Sequence, residues 1–126
     1  MKLLNKTIEN DFSKTGSQDG LGDEAKVIVK YFNPTGAGTW LITELQEYRL
    51  FKDGKHEVAY TLEEKEKMVS EGWELYDTIL FGLCTIHEQE WGTVSLRELE
   101  DFTGQFGLRI ERDLHASGMK IKELKR

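Results

Sequence analysis

Five polar side chains stand at spacings that could support chemistry: His87, Glu90, Glu111, Asp113 and His115. Glu111, Asp113 and His115 lie two apart, so on a strand all three would project from one face, with Arg109 beside them. Carboxylates and an imidazole there, joined by His87 or Glu90, would offer oxygen and nitrogen ligands suited to several divalent ions. In His87-Glu88-Gln89-Glu90-Trp91, a histidine with two nearby carboxylates could work as a general acid or base. Yet the chain has no His-x-x-x-His, no His-Glu-x-x-His and no paired cysteines. Gly20-Leu-Gly22 and Gly36-Ala-Gly38 precede strands and lack the Lys-Ser/Thr of a phosphate loop, so they read as turns. The five residues also read as a solvated surface with ordinary ion pairs of little worth, and Trp91 as a lid over the core edge. The expectation is no catalytic residue, no metal and no cofactor. The five are carried forward only as a secondary polar site.

Charge points elsewhere. The net charge of −6 and the pI near 5.1 oppose general affinity for phosphate backbones. Between Glu57 and Asp77 stand seven acids (Glu57, Glu63, Glu64, Glu66, Glu71, Glu74, Asp77) against Lys65 and Lys67, a local balance of −5. From Gly118 to Arg126 the balance is +3, with Lys120, Lys122, Lys125 and Arg126 against Glu123. Such stretches serve as solvated faces, or as surfaces that dock on a partner of opposite sign. For nucleic acid, Tyr31, Phe32 and Trp40 near Lys26, Lys30 and Arg49 could form a stacking platform on a sheet, though core packing explains the aromatics as well.

The elements that position these residues follow from pattern. Leu3, Leu4, Ile8 and Phe12 predict a short first helix capped by Asn5, and 13–22 has loop composition. Val27 to Phe32 and Thr39 to Gln46 predict an antiparallel hairpin around Asn33-Pro34-Thr35-Gly36. Simple alternation would put Trp40, Ile42 and Glu44 on one face, and Leu41, Thr43 and Leu45 on the other. Tyr48–Phe51 and Val58–Tyr60 flank Asp53-Gly54, a hairpin signature. Thr61-Leu-Glu-Glu64 is a capping box whose helix should stop near Gly72.

The long apolar run Thr78 to Ile86 reads as a buried central strand, followed by a polar turn over 87–92. Ser95-Leu-Arg-Glu98 is a second capping box, whose helix would turn Leu96, Leu99 and Phe102 inward and end at Gly104. Leu108, Ile110, Arg112 and Leu114 predict a last half-buried strand, and the basic tail from Ala116 a fraying helix. The fold class expected is α+β: a mostly antiparallel sheet with two to four short helices packed on it, in a single globular domain over 1–126.

Cys84 lies in the most apolar run and reads as a small buried hydrophobe; as the only cysteine it can form no intramolecular disulfide. No stretch has the length of a membrane span, and Met1-Lys-Leu-Leu-Asn-Lys lacks the apolar core of a signal peptide. A soluble, cytoplasmic protein is the expectation.

The order of these signals resembles the domain of unknown function 2958 family. The matching pieces are Gly22-Asp-Glu-Ala-Lys-Val-Ile-Val-Lys-Tyr-Phe32, Thr39-Trp-Leu-Ile-Thr-Glu44 and Ile79-Leu-Phe-Gly-Leu83. Glu90-Trp-Gly-Thr-Val-Ser-Leu-Arg-Glu-Leu99 and Leu108-Arg-Ile-Glu-Arg-Asp-Leu-His115 complete the set and are the most specific. The resemblance implies no enzymatic activity and no catalytic residues to carry over. It implies an accessory protein of phages, plasmids and integrated elements in a bacterial host, some relatives being anti-CRISPR inhibitors of RNA-guided nucleases. Residues 46–73 would be the part that varies in length within the family.

The reading that results is a non-enzymatic, protein-binding factor of a mobile element. Its acidic segment would dock on a basic groove of a host protein, a CRISPR effector nuclease being the partner implied. The alternatives are a small metal-dependent enzyme using His87, Glu90 and His115, and a nucleic-acid-binding regulator using the Lys26–Trp40 hairpin.

Overall fold

The structure is a computed structural model that describes residues 2–113 and 115–125. Leu114, assigned by pattern to the last strand, and Arg126 of the basic tail lie outside the described residues. The elements run α1 (Lys6–Thr15), β1 (Val29–Phe32), β2 (Thr39–Lys52), β3 (Lys55–Ala59), α2 (Leu62–Ser70), β4 (Glu74–Thr85), β5 (Gln89–Ser95), α3 (Leu96–Asp101), β6 (Glu111–Asp113) and α4 (Ile121–Leu124). One six-stranded antiparallel sheet has the order β5-β4-β2-β1-β6, with β3 also paired to β2. The fold is α+β.

β2 organises the sheet. The two strands expected over Thr39–Gln46 and Tyr48–Phe51 are one strand, paired with β4 along nearly its whole length. Its other edge is shared: β1 takes 39–42 and β3 takes 48–52. Register shifts between Ile42 and Glu44 and between Leu45 and Glu47 mark two bulges, each inserting one residue and resetting the alternation. Leu45 therefore lies opposite Leu80 and packs on the Ile42 side, while Glu44 lies opposite Phe81. This reverses the simple alternation expected for these two side chains. It also keeps Trp40, Ile42, Leu45, Tyr48 and Leu50 on one face.

That face carries the main core. Ile8 and Phe12 of α1 and Leu96 and Leu99 of α3 pack on Ile42, Leu80 and Val94. At the far end, Leu62 and Met68 of α2, with Trp73, cover Tyr48, Leu50 and Ala59. On the opposite face Ile121 of α4 closes over Val27, Leu41 and Leu83. Burying a side chain such as Leu50 or Leu80 contributes about 2 kcal/mol. The three expected caps form: Asn5, Thr61 and Ser95 accept from the backbone N–H of Ile8, Glu64 and Glu98. The Asp53-Gly54 turn has positive φ at both residues, the geometry that joins tightly twisted strands.

Several expectations are corrected. The polar turn predicted over 87–92 is shorter, because β5 starts at Gln89 and pairs Glu90 with Cys84 and Trp91 with Leu83. Trp91 stacks on its diagonal neighbour Phe81 of β4, ring centroids 5.8 Å apart, so it is a strand residue on a sheet face. Phe102 caps α3 in extended backbone and is exposed rather than inward. Leu108 is exposed and the last strand spans only Glu111–Asp113, since the chain before it turns through a 3-10 segment at Gln105–Gly107.

Candidate functional site

The acidic stretch divides once its side chains are placed. Asp77 belongs to the fold. One of its oxygens accepts from Ser95 Oγ at 2.7 Å; the other accepts the N–H of Arg97 at 3.0 Å and of Thr78 at 2.7 Å. It thus ties β4 to the first turn of α3. Glu66 pairs with Lys6, and Glu64 accepts from the Thr61 hydroxyl in the capping box. Glu57, Glu63, Glu71 and Glu74 are exposed and, among the described residues, make no ion pair. These four, distributed over β3, α2 and the start of β4, are the free charge of the segment.

The segment is fastened to the body through α1. Lys65 of α2 lies 3.1 Å from Glu9, which also accepts the Tyr48 hydroxyl at 3.0 Å. The Lys65 ammonium sits 5.1 Å from the centre of the Tyr48 ring. The Lys65 and Glu9 side chains are only 14% and 12% exposed, so solvent screens this pair weakly. Burial, with the Glu9 charge beside it, drives the Tyr48 phenol far above its ordinary pKa and keeps it a hydrogen-bond donor.

The secondary polar site does not assemble. His87 and Glu90 lie at the β4–β5 end of the sheet order, while Glu111, Asp113 and His115 belong to β6 and the turn after it. Three strands intervene, about 19 Å at the usual spacing. Asp113 lies 3.6 Å from Lys30 and accepts the N–H of His115 at 2.8 Å, a local turn that breaks the alternation expected to align the two. Among the described residues no three His, Cys, Asp or Glu side chains gather closely enough to hold a metal. His87 and Glu90 are therefore not brought together with His115.

The stacking platform fails for a different reason. Tyr31 is fully buried with its hydroxyl on the Leu3 carbonyl, and Trp40 is core. The basic tail is also engaged: Lys120 and Lys122 pair with Glu24 at 2.8 and 2.7 Å, and Lys125 with Asp23 at 3.3 Å. Hydrogen bonds from Lys120 and Lys122 lower the Glu24 carboxyl to about 2. Cys84 is half-buried against the core; desolvation, then the Glu90 charge, pushes its thiol up to about 11, which keeps it protonated and unreactive near neutrality.

Sequence reasoning missed a cleft of about 490 Å³ on the shared edge of β2. It opens between the ends of β1 and β3, where 43–47 has no strand opposite on that edge among the described residues. Its walls include Phe12 and Ser17 at the α1 end, Tyr60 and Leu62 at the β3–α2 joint, and Glu44 and Leu45 of β2. Gln18 closes one end: its amide bonds the N–H and carbonyl of Lys26 and the carbonyl of Thr43, all within 2.8 Å. A glutamine side chain there replaces a strand residue. The only sequence signal for the cleft was the polar interruption Thr43-Glu44 within an apolar strand.

No helix among the described residues is long and apolar enough to cross a membrane. No curated protein and no solved structure matches the chain. A family model, described as a protein of unknown function (DUF2958), matches residues 3–55 and 69–121, everything from the first buried leucine to α4 except 56–68, the remainder of β3 with most of α2. The chain belongs to the DUF2958 family.

Proposed function

We propose that this chain is a non-enzymatic, cytoplasmic, protein-binding factor whose acidic hairpin–helix segment docks on a basic surface of a partner. The observation that carries the reading is that Glu57, Glu63, Glu71 and Glu74 are exposed and unpaired among the described residues, on a segment locked to the core by Lys65, Glu9 and Tyr48. Fixed charges on a rigid support lose little freedom on association, and opposite fields steer the encounter. In the setting that the family resemblance implies, a mobile element in a bacterial host, the partner is the nucleic-acid groove of an RNA-guided nuclease. Lys120, Lys122 and Lys125 of the basic tail are paired with Asp23 and Glu24, and Tyr31 and Trp40 are core, which favours protein over nucleic acid as the target.

The test is association of the purified chain with such a nuclease across a salt series. Glu57→Lys, Glu63→Lys and Glu71→Lys together should weaken binding by roughly 10- to 100-fold, at about 0.5–1 kcal/mol per reversed rim charge, and flatten the salt dependence. Glu66 and Asp77 are left intact because the fold uses them. Unchanged affinity in the triple variant would dismiss the acidic-segment reading.

A further inference from the structure

We infer that the cleft on β2 is a second binding site, which takes an extended, lysine- or arginine-bearing segment of a partner protein as an added strand. The inference rests on reading the chain as a protein-binding factor and names the form in which a partner segment enters it.

Three observations meet at this place. The first is an interrupted sheet edge. β1 ends its pairing with β2 at Ile42, the bond from Ile28 N–H to the Ile42 carbonyl and the Gln18 amide carry the line to Thr43, and β3 resumes at Tyr48. Residues 44–47 between them present strand backbone with no strand opposite on this edge among the described residues, about 13 Å of it. An extended peptide completes such an edge with main-chain hydrogen bonds and places alternate side chains in whatever pockets flank it. Elsewhere along β2 the same edge is occupied, so the opening accepts a short segment and limits its register.

The second is the lining. Phe12, Leu45, Leu62 and Tyr60 supply apolar wall, and Tyr60 is 67% exposed at the rim. A large aromatic left in water beside an open strand edge is available to cover an incoming side chain. The third is charge. Among the described residues the lining holds Glu9, Glu44 and Glu47 and no lysine or arginine. Lys65 balances Glu9 and Arg49 balances Glu47 from outside it, with Arg49 Nε 2.9 Å from the Glu47 carboxylate. Glu44 has only the backbone N–H of Gln18, and among the described residues no cation answers it. A cationic side chain on the added strand supplies that partner, while an acidic one meets three carboxylates.

The test uses the intact chain and synthetic probes independent of any nuclease. Backbone amide shifts are followed while a blocked Lys-Val-Lys-Val-Lys peptide is titrated, then Glu-Val-Glu-Val-Glu, then Lys-Pro-Lys-Pro-Lys. The last keeps the charge but loses the backbone donors at its proline positions. Saturable binding of the first, with shifts centred on 44–47 and Tyr60, and affinity at least tenfold weaker for the other two, is the expected result. Glu44→Gln keeps the acceptor for Gln18 N–H while removing the charge, and Tyr60→Ser alters only an exposed wall. Each should weaken the lysine–valine peptide about three- to tenfold; Tyr60→Ser should leave the melting temperature unmoved, and Glu44→Gln should lower it slightly because the Gln18 N–H then meets a neutral acceptor. Absent saturation, shifts located elsewhere, or a proline peptide that binds equally well would overturn the inference.

The Glu57, Glu63 and Glu71 reversal separates this outcome from the docking reading, because those residues lie outside the cleft lining. Peptide binding should survive it within about twofold. If the peptide binds and no nuclease does, the cleft stands and the acidic-face reading falls. If the nuclease binds in a salt-sensitive manner and no peptide does, the reverse holds.

Discussion

Asp77 offers the sharpest separation between charge left free in solvent and charge used by the fold. Its carboxylate accepts from Ser95 Oγ at 2.7 Å and from the Arg97 and Thr78 N–H groups at 3.0 and 2.7 Å. Hydrogen bonds to a charged group contribute about 1.5–3 kcal/mol each when buried, and less at the partly exposed start of α3. The Thr78 bond is between chain neighbours and counts least. Adding a few tenths for a negative charge at the N-terminal end of a short helix, Asp77→Ala should cost about 2–3 kcal/mol. Asp77→Asn, which keeps one acceptor oxygen, should cost about half of that. For a domain of this size the alanine variant should melt roughly 6–15 °C lower. Urea unfolding followed by tryptophan fluorescence measures the loss, and exchange of the Arg97 and Glu98 amides locates it. The salt dependence of partner association should stay at the wild-type slope. A loss under about 1 kcal/mol together with weakened association would refute the reasoning and return Asp77 to the docking face.

Four further outcomes follow from other contacts. Gln18→Ala should destabilise by about 2–4 kcal/mol, measured in urea, because Lys26 N–H and the carbonyls of Lys26 and Thr43 lose one side-chain partner. Gly82→Ala should cost about 3 kcal/mol or prevent folding, since its Cβ would stand 2.1 Å from the Leu41 carbonyl oxygen and 2.8 Å from Ile42 Cα; circular dichroism and thermal melting decide it. Glu24 has a folded carboxyl depressed to about 2 from 4.5, so its clasp on Lys120 and Lys122 contributes above the unfolded value and is lost as pH falls towards 2. The protection factor of the Ile121 amide, which bonds the Ala25 carbonyl, should fall over that window and stay level between pH 6 and 8. Cys84, with its thiol near 11, should alkylate at pH 8 on the order of a hundredfold more slowly than a free cysteine.

What the sequence made legible was local. Asn5, Thr61 and Ser95 cap because a short polar side chain reaches a backbone N–H three residues on, and Asp53-Gly54 turns because both residues tolerate positive φ. Each needs only its neighbours. The bulges at Thr43 and Gln46 need β4: they accommodate a partner strand whose spacing no period within β2 reveals, and they move Leu45 inward and Glu44 outward. Trp91 illustrates the same limit. Nothing in His87-Glu88-Gln89-Glu90 signals a strand, and the pairing of Glu90 with Cys84 supplies it. Of the seven acids, Glu64 is recognised locally as the capping-box partner of Thr61, whereas Glu66 and Asp77 are recognised only through distant partners, Lys6 and Ser95.

The division between family scaffold and individual surface has a physical consequence. Residues 56–68 fall outside the family match, yet Ala59, Leu62 and Met68 within them pack on Tyr48 and Leu50. Leu50 is fully buried and Tyr48 nearly so, and both lie in the matched part of β2. Replacing 56–68 by a short turn would uncover them at about 2 kcal/mol each. It would also leave Glu9 without Lys65 beside it. The acidic segment is therefore part of the core as well as of the surface, which explains how it can hold Glu57 and Glu63 in fixed positions. The cleft depends on the same joint, since Tyr60 and Leu62 form one of its walls. A change in the length of this segment would alter both proposed surfaces together, whereas a charge change at Glu57 or Glu63 alters only one.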